Sequence, residues 1–60
     1  MYSKKELISI IDKVIAENRS SIEKLGKKSF GMLMSVVMSK VRGKADPNLI
    51  SKIIEEKIMQ

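Results

Sequence analysis

Residues 41–47 place the end of one helix directly before the start of another. Gly43 is a natural stop, because glycine adopts the left-handed conformation that follows a helix without steric cost. Asp46 and the proline after it form a natural start, since the carboxylate can accept free amides of a first helical turn and proline needs no donor there. Arg42 and Lys44 lie on either side of the stop at Gly43. The stretch, called the corner below, therefore predicts two helices joined by a tight turn that can present two cations to an anion.

Helical periodicity organises the rest of the chain. The first helix is predicted over about 4–17, after a Ser-x-x-Glu capping box at Ser3 and with its end at Asn18. A strongly apolar helix is predicted from Ser29, its N-cap, to Arg42, and the last helix covers about 47–58. No useful length of chain alternates with period two. The predicted fold class is all-α: a small bundle of three main helices plus one short helical turn.

The segment between the first two main helices is predicted to hold only about one turn of helix. Ser20 and Glu23 match a second capping box, and Gly26 closes the turn. Ile22 and Leu25 are expected to face inward. The first two residues of the chain are expected to be a frayed start.

The apolar stripes of the helices define a predicted core. Its members are Leu7, Ile11, Val14, Leu33, Val37, Val41, Ile50, Ile53 and Ile54. A second stripe of the third helix combines small residues with a cation, at Gly31, Ser35, Ser39 and Arg42. Small residues let another backbone approach closely, and packing against a second helix is the interpretation we favour over docking of a partner. The methionines are interpreted as gap-filling core residues.

The positive charge is concentrated in the middle third of the chain. The net charge is +5, and residues 24–45 carry six cations and no acid. This distribution indicates a basic patch for an anionic partner, with an ordinary solvated lysine surface as the alternative. Five cations expected to lie near one another are the candidate binding residues: Lys27, Lys28, Lys40, Arg42 and Lys44.

Several functional classes are disfavoured by composition. The chain has no cysteine and no histidine, so it lacks thiolate metal ligands and the commonest general base. No Asp/Glu cluster has metal-ligand spacing, and Gly31 is followed by Met32 rather than by the Lys-Ser/Thr of a phosphate loop. No apolar run approaches a membrane span and no signal peptide is evident, so we expect a cytoplasmic location. We predict no catalytic and no metal-binding residue.

Residues 37–47, with Leu49-Ile50 and Ile53-Ile54 after them, resemble the C-terminal tail domain of the GatB/YqeY family. The family pattern is an apolar helix with a Val-Met pair, then a Gly-Lys-Ala-Asp/Asn-Pro corner and a second apolar helix. The resemblance covers about residues 4–58 and is most specific over 30–58. Ser35 departs from the family pattern, because the family usually has glycine there. This exchange of one small residue for another affects helix packing more than it affects the resemblance to the family.

The resemblance implies a role in a cytoplasmic amidotransferase that converts Glu-tRNA(Gln) or Asp-tRNA(Asn) to the amidated form. The family includes the B subunit of the aspartyl/glutamyl-tRNA amidotransferase and its archaeal relative, the E subunit. Residues 1–60 would be one helical tail domain, a fragment of a larger subunit, with tRNA and other amidotransferase subunits as partners. ATP, Mg²⁺ and glutamine would serve in other domains and subunits, so no cofactor is expected here. The tail would grip the tRNA away from its acceptor end. Which tRNA and which type of subunit stay open.

Three other classes compete with this interpretation. A helix-turn-helix DNA binder would use Asn48, Ser51 and Lys52, but Glu55 and Glu56 on the same helix would meet phosphates, which disfavours DNA. A protein-interaction module would use the small-residue stripe or the methionines. A free-standing enzyme is least favoured, because convergent acid–base groups are missing. The scarcity of aromatic residues argues against single-strand binding by base stacking.

Overall fold

The computed structural model describes residues 1–59, and every regular element in that range is helical. In chain order the elements are α1 (Lys4–Glu17), α2 (Arg19–Leu25), a 3₁₀ turn (Gly26–Lys28), α3 (Ser29–Val41) and α4 (Pro47–Ile58). The predicted all-α fold with three main helices is therefore confirmed. No helix of the described range has the length and apolar character that crossing a membrane requires.

Hydrogen bonds at both ends of α1 explain its boundaries. The Glu6 amide donates to Ser3 Oγ at 3.1 Å, and the Ser3 amide donates to Glu6 Oε1 at 2.8 Å, which confirms the predicted capping box. The bond from the Ser3 amide holds the pKa of Glu6 below its usual value. The ionised Glu6 carboxylate therefore stabilises the fold at pH values above the unfolded pKa of Glu6. This stabilisation is lost as the pH falls through the lower folded pKa. At the other end, Asn18 Nδ2 donates to the Val14 carbonyl at 2.8 Å.

The corner joins α3 to α4 as its residues predict. Gly43 has a φ of 78°, in the left-handed region. Asp46 Oδ1 accepts from the Asn48 amide at 2.9 Å, and Pro47 is the first residue of α4. Arg42 is also left-handed, with φ 47° and ψ 49°, which we did not anticipate. The helix thus ends one residue earlier than expected, and two consecutive residues make the turn.

The core lies where α1, α3 and α4 meet. All nine predicted core residues are buried, so this prediction is confirmed. Ala45, in the corner, is also buried, with only 5% of its surface exposed. It joins the same apolar cluster and was not predicted, because a lone alanine between two charged residues has no periodic signature. The corner is therefore anchored in the core by its own side chain.

Three expectations for the segment before α3 were wrong. α2 has seven residues rather than about one turn, and it begins after Asn18, with no side-chain cap, rather than at a capping box on Ser20. Leu25 is 46% exposed instead of facing inward, although Ile22 packs against the core as predicted. A helix this short has few inward positions, and the turn at Gly26 follows immediately. Gly26, with a positive φ of 57° that glycine adopts without steric cost, ends α2.

Ser29 is a buried residue of α3, and the prediction that it caps this helix was wrong. Its side chain is fully buried, and its Oγ donates to the Gly26 carbonyl at 2.6 Å. The hydroxyl can make this bond because the 3₁₀ turn runs directly into α3 and leaves no non-helical N-cap position. The bond satisfies a polar group inside the core, as burial demands.

The stripe of small residues on α3 faces solvent. Gly31, Ser35 and Ser39 are exposed, and a Cβ placed on Gly31 would meet nothing within 4 Å. The expectation that this stripe packs tightly against another helix was therefore wrong. We call these three residues the outer face of α3. The opposite face supplies Leu33 and Val37 to the core.

Tyr2 is held in place, contrary to the predicted frayed start, whereas Met1 is 94% exposed. The Tyr2 amide donates to the Lys44 carbonyl at 2.9 Å. The Tyr2 side chain is half-buried and packs against the core. The N-terminal segment therefore lies across the corner.

Replacing Val37 by alanine should test the packing at the centre of α3. Val37 is fully buried, so we expect Val37→Ala to lower the free energy of unfolding by roughly 1–3 kcal/mol, measured by urea denaturation. Val36→Ala is the matched control: Val36 is only partly buried and should cost less. Equal effects of the two variants would contradict the assigned core.

Replacing Gly43 or Gly31 by alanine should change the free energy of unfolding in opposite directions. Neither Gly43 nor Gly31 has an atom within 4 Å of an added Cβ, so only the backbone conformation differs. Gly43→Ala should lower the free energy of unfolding by about 1 kcal/mol because of its positive φ. Gly31→Ala, inside a helix, should raise it by up to about 1 kcal/mol. A neutral Gly43→Ala would remove the conformational argument for the corner.

Candidate nucleic-acid interface

The five candidate binding residues are all exposed. Lys27 and Lys28 belong to the 3₁₀ turn before α3. Lys40 lies in the last turn of α3, Arg42 follows that helix, and Lys44 belongs to the corner. Each cation is thus available to a partner in solution.

The five residues form two groups rather than one cluster. Lys27 and Lys28 lie before the first residue of α3, whereas Lys40, Arg42 and Lys44 lie at its far end. A helix of 13 residues is about 20 Å long, at 1.5 Å per residue. The expectation that all five are near one another was therefore wrong. α3 acts as a spacer between a turn group (Lys27 and Lys28) and a corner group (Lys40, Arg42 and Lys44).

Main-chain hydrogen bonds hold the corner group. The Arg42 amide donates to the Met38 carbonyl at 2.9 Å, and the Lys44 amide donates to the Val41 carbonyl at 3.0 Å. The Lys44 carbonyl accepts from the Tyr2 amide. The backbone of the corner is therefore hydrogen-bonded at both Arg42 and Lys44. The Tyr2 contact has no side-chain signature, so sequence reasoning could not find it.

The corner cations have no carboxylate partner among residues 1–59. The ion pair found in that range joins Lys57 Nζ to Asp12 Oδ1 at 2.8 Å, away from the corner. Glu6 lines the same shallow groove as Lys44, and its carboxylate accepts from the Ser3 amide. No ion pair within residues 1–59 therefore engages Lys40, Arg42 or Lys44.

The outer face of α3 connects the two groups of cations. Gly31, Ser35 and Ser39 are exposed along it, and residues 24–45 carry no acid. Met32 and Met38 are half-buried beside it. An anionic partner lying along α3 would meet hydroxyls and backbone between the two basic ends, with no like charge to repel it.

Grouped metal ligands and buried polar side chains are scarce among the described residues. Within residues 1–59, no three side chains of the His, Cys, Asp or Glu type are grouped so as to hold a metal ion. Ser29 is the buried polar residue of that range, and its hydroxyl is hydrogen-bonded inside the fold.

The fold and this surface define a small all-α domain with a basic corner at the end of its central helix. A family model described as the GatB domain, of the GatB/YqeY type, matches residues 1–58. The match covers nearly the whole chain. The chain belongs to the GatB/YqeY family.

Curated relatives are amidotransferase subunits from archaea and bacteria. The E subunit of the glutamyl-tRNA(Gln) amidotransferase of Methanocaldococcus jannaschii is 38% identical over 58 residues, which is 97% of this chain and 9% of that protein. The B subunit of the aspartyl/glutamyl-tRNA(Asn/Gln) amidotransferase of Rickettsia rickettsii is 46% identical over 55 residues, covering 87% of this chain and 11% of that protein. The chain spans about a tenth of the length of these relatives. No solved structure matches it.

Replacing Arg42 by glycine should stabilise the domain. A non-glycine residue in the left-handed region carries a conformational cost that glycine avoids, although glycine also gains freedom in the unfolded chain. We therefore expect Arg42→Gly to raise the free energy of unfolding by up to about 1 kcal/mol in urea denaturation. Lys40→Gly, within the last turn of α3, should lower it by about 1 kcal/mol. Destabilisation by Arg42→Gly would show that its side chain makes contacts that outweigh the strain.

Proposed function

We propose that this chain is a tRNA-binding domain of a tRNA-dependent amidotransferase subunit, which grips the body of the tRNA through its two groups of cations. Family membership and the relatives support the amidotransferase part. The observation that carries the tRNA part is Arg42, a charged, exposed residue at a left-handed position that glycine would occupy at lower cost. Backbone strain of this kind clusters at functional sites.

The cations suit recognition of RNA by shape. Double-stranded RNA is recognised mostly through its phosphates and 2′-hydroxyls, because its deep major groove does not admit side chains. The planar guanidinium of Arg42 can bind one phosphate through two parallel hydrogen bonds, whereas Lys40 and Lys44 act as point charges. Lys27 and Lys28, about 20 Å away along α3, would reach a different stretch of the same backbone.

The amidation chemistry belongs to other parts of the enzyme in this proposal. The whole enzyme would amidate Glu-tRNA(Gln) or Asp-tRNA(Asn) in the cytoplasm, with ATP, Mg²⁺ and glutamine, and with other subunits as partners. In this proposal the domain holds no Mg²⁺, because within residues 1–59 no three His, Cys, Asp or Glu side chains are grouped so as to hold a metal ion. Its task is therefore to hold the substrate, and no step of the reaction is assigned to it.

A protein-interaction module is the second candidate function. The observation that favours it is the open outer face of α3, where Gly31 has nothing within 4 Å of an added Cβ. A DNA-binding helix-turn-helix is less well supported, because Glu55 and Glu56 are exposed on α4 and would face phosphates. Failure of tRNA binding in the experiment below would favour the protein-interaction module.

A double alanine variant of the corner should weaken tRNA binding. Binding of unfractionated tRNA by the parent and by Arg42→Ala/Lys44→Ala is measured by fluorescence anisotropy at several salt concentrations. Loss of two phosphate contacts should lower the slope of log K against log salt by about 1.4–1.8. In an assembled amidotransferase that contains this domain, the same variant should raise KM for the charged tRNA and leave kcat unchanged.

The chain supplies a control of matched charge. Lys13→Ala/Arg19→Ala also removes one lysine and one arginine, both exposed and both outside residues 24–45. It should leave affinity and salt slope close to those of the parent. Equal losses in the two double variants would reduce the effect to net charge and contradict a specific corner site. A lower kcat at saturating tRNA would place the corner near the chemistry, contrary to the proposal.

A further inference from the structure

The N-terminal residues 1–3, which we call the strap, lie across the corner. The Tyr2 amide donates to the Lys44 carbonyl at 2.9 Å, and the Tyr2 side chain packs against the core. A shallow groove of about 220 Å³ lies between strap and corner, lined by Met1, Tyr2, Glu6 and Lys44. Residues distant in sequence thus meet beside the candidate binding cations.

The strap supplies the partner of a polar group that the corner leaves free. Within the corner, the Lys44 amide bonds back to the Val41 carbonyl. The Lys44 carbonyl follows two left-handed residues and lies outside both helices, so no ladder bond is available to it. Tyr2 provides that bond. The peptide groups on both sides of the Lys44 Cα atom are therefore fixed, which limits the directions its side chain can take.

The strap is itself anchored to α1. The Ser3 amide donates to Glu6 Oε1 at 2.8 Å, and Ser3 Oγ accepts from the Glu6 amide. A continuous set of hydrogen bonds thus links the start of α1 to the corner through Tyr2. On the far side of the corner, Asp46 caps α4. The corner is held between the starts of two helices.

We propose that the strap is a positioning element, in which Tyr2 holds the corner in the geometry that directs Lys44 and Arg42 toward phosphates of a bound RNA. The inference rests on the proposed tRNA binding and adds that docking of the strap and binding of RNA are coupled. Coupling is reciprocal, so RNA bound at the corner should also stabilise the docked strap. No charge of the strap is needed, since its contact with Lys44 is made by a backbone amide.

The test removes the Tyr2 amide without changing any charge. Tyr2→Pro lacks the N–H, Tyr2→Phe keeps both the amide and an aromatic ring, and Tyr2→Ala keeps the amide alone. Amide hydrogen exchange of the ¹⁵N-labelled chain reports on Lys44, and anisotropy with unfractionated tRNA gives the affinity. Circular dichroism and a temperature well below the unfolding midpoint ensure that only folded protein is compared.

Tyr2→Pro should speed exchange of the Lys44 amide and weaken tRNA binding about fivefold, near the lower end of typical coupling between sites. Tyr2→Phe should match the parent in both measurements, and tRNA should slow exchange of the Tyr2 amide in the parent. If Tyr2→Ala weakens binding while its Lys44 amide stays protected, the ring and not the amide acts, and the proposal is overturned.

Two further outcomes would overturn the inference in distinguishable ways. If Tyr2→Pro is less stable but binds tRNA like the parent, the strap is only structural and the proposed function stands. The same conclusion follows if Lys44 exchange is unchanged in Tyr2→Pro, because the strap then does not hold the corner. If the parent itself binds no tRNA, the proposed function fails and the coupling falls with it.

Discussion

The packing of one stripe of α3 is the constraint on which the rest of the domain depends. Ser29, Leu33, Val37 and Val41 are fully or almost fully buried along it, and α3 contacts α1, α2 and α4. A chain of 60 residues has little apolar area to bury, and this domain buries it by packing the other helices around one central helix. Because the inner stripe is committed to the core, the outer face and both ends of α3 are left for other contacts.

Sequence reasoning succeeded where a local rule decides the structure. The capping box at Ser3, the Asp46 cap and the periodic core residues each follow from interactions within about one helical turn or from a repeated spacing. It failed where tertiary contact decides. Tyr2 is held by a backbone bond to Lys44, and the open outer face of α3 depends on where other helices lie. No pattern of residue types records either fact.

The exposure of the five candidate cations was predicted from the sequence, and their arrangement in space was not. The exposure of the five cations follows from their charge, since lysine and arginine are seldom buried without partners. Their separation into two groups depends on the length of α3. The left-handed conformation of Arg42 depends on how the chain leaves the helix. In the sequence, only the neighbouring Gly43 indicated a left-handed residue at this place. Stability and the proposed anion binding therefore place opposite demands on position 42: glycine suits the backbone, and arginine suits an anion.

The ion pair between Asp12 and Lys57 has a consequence for how the domain is made. It joins the first main helix to the last, and α4 also supplies Ile50, Ile53 and Ile54 to the core. A nascent chain that has released only α1–α3 from the ribosome would expose the inner stripe of α3 to water. Burial of that stripe therefore requires α4, and a chain that lacks α4 would present apolar surface of the kind that favours aggregation.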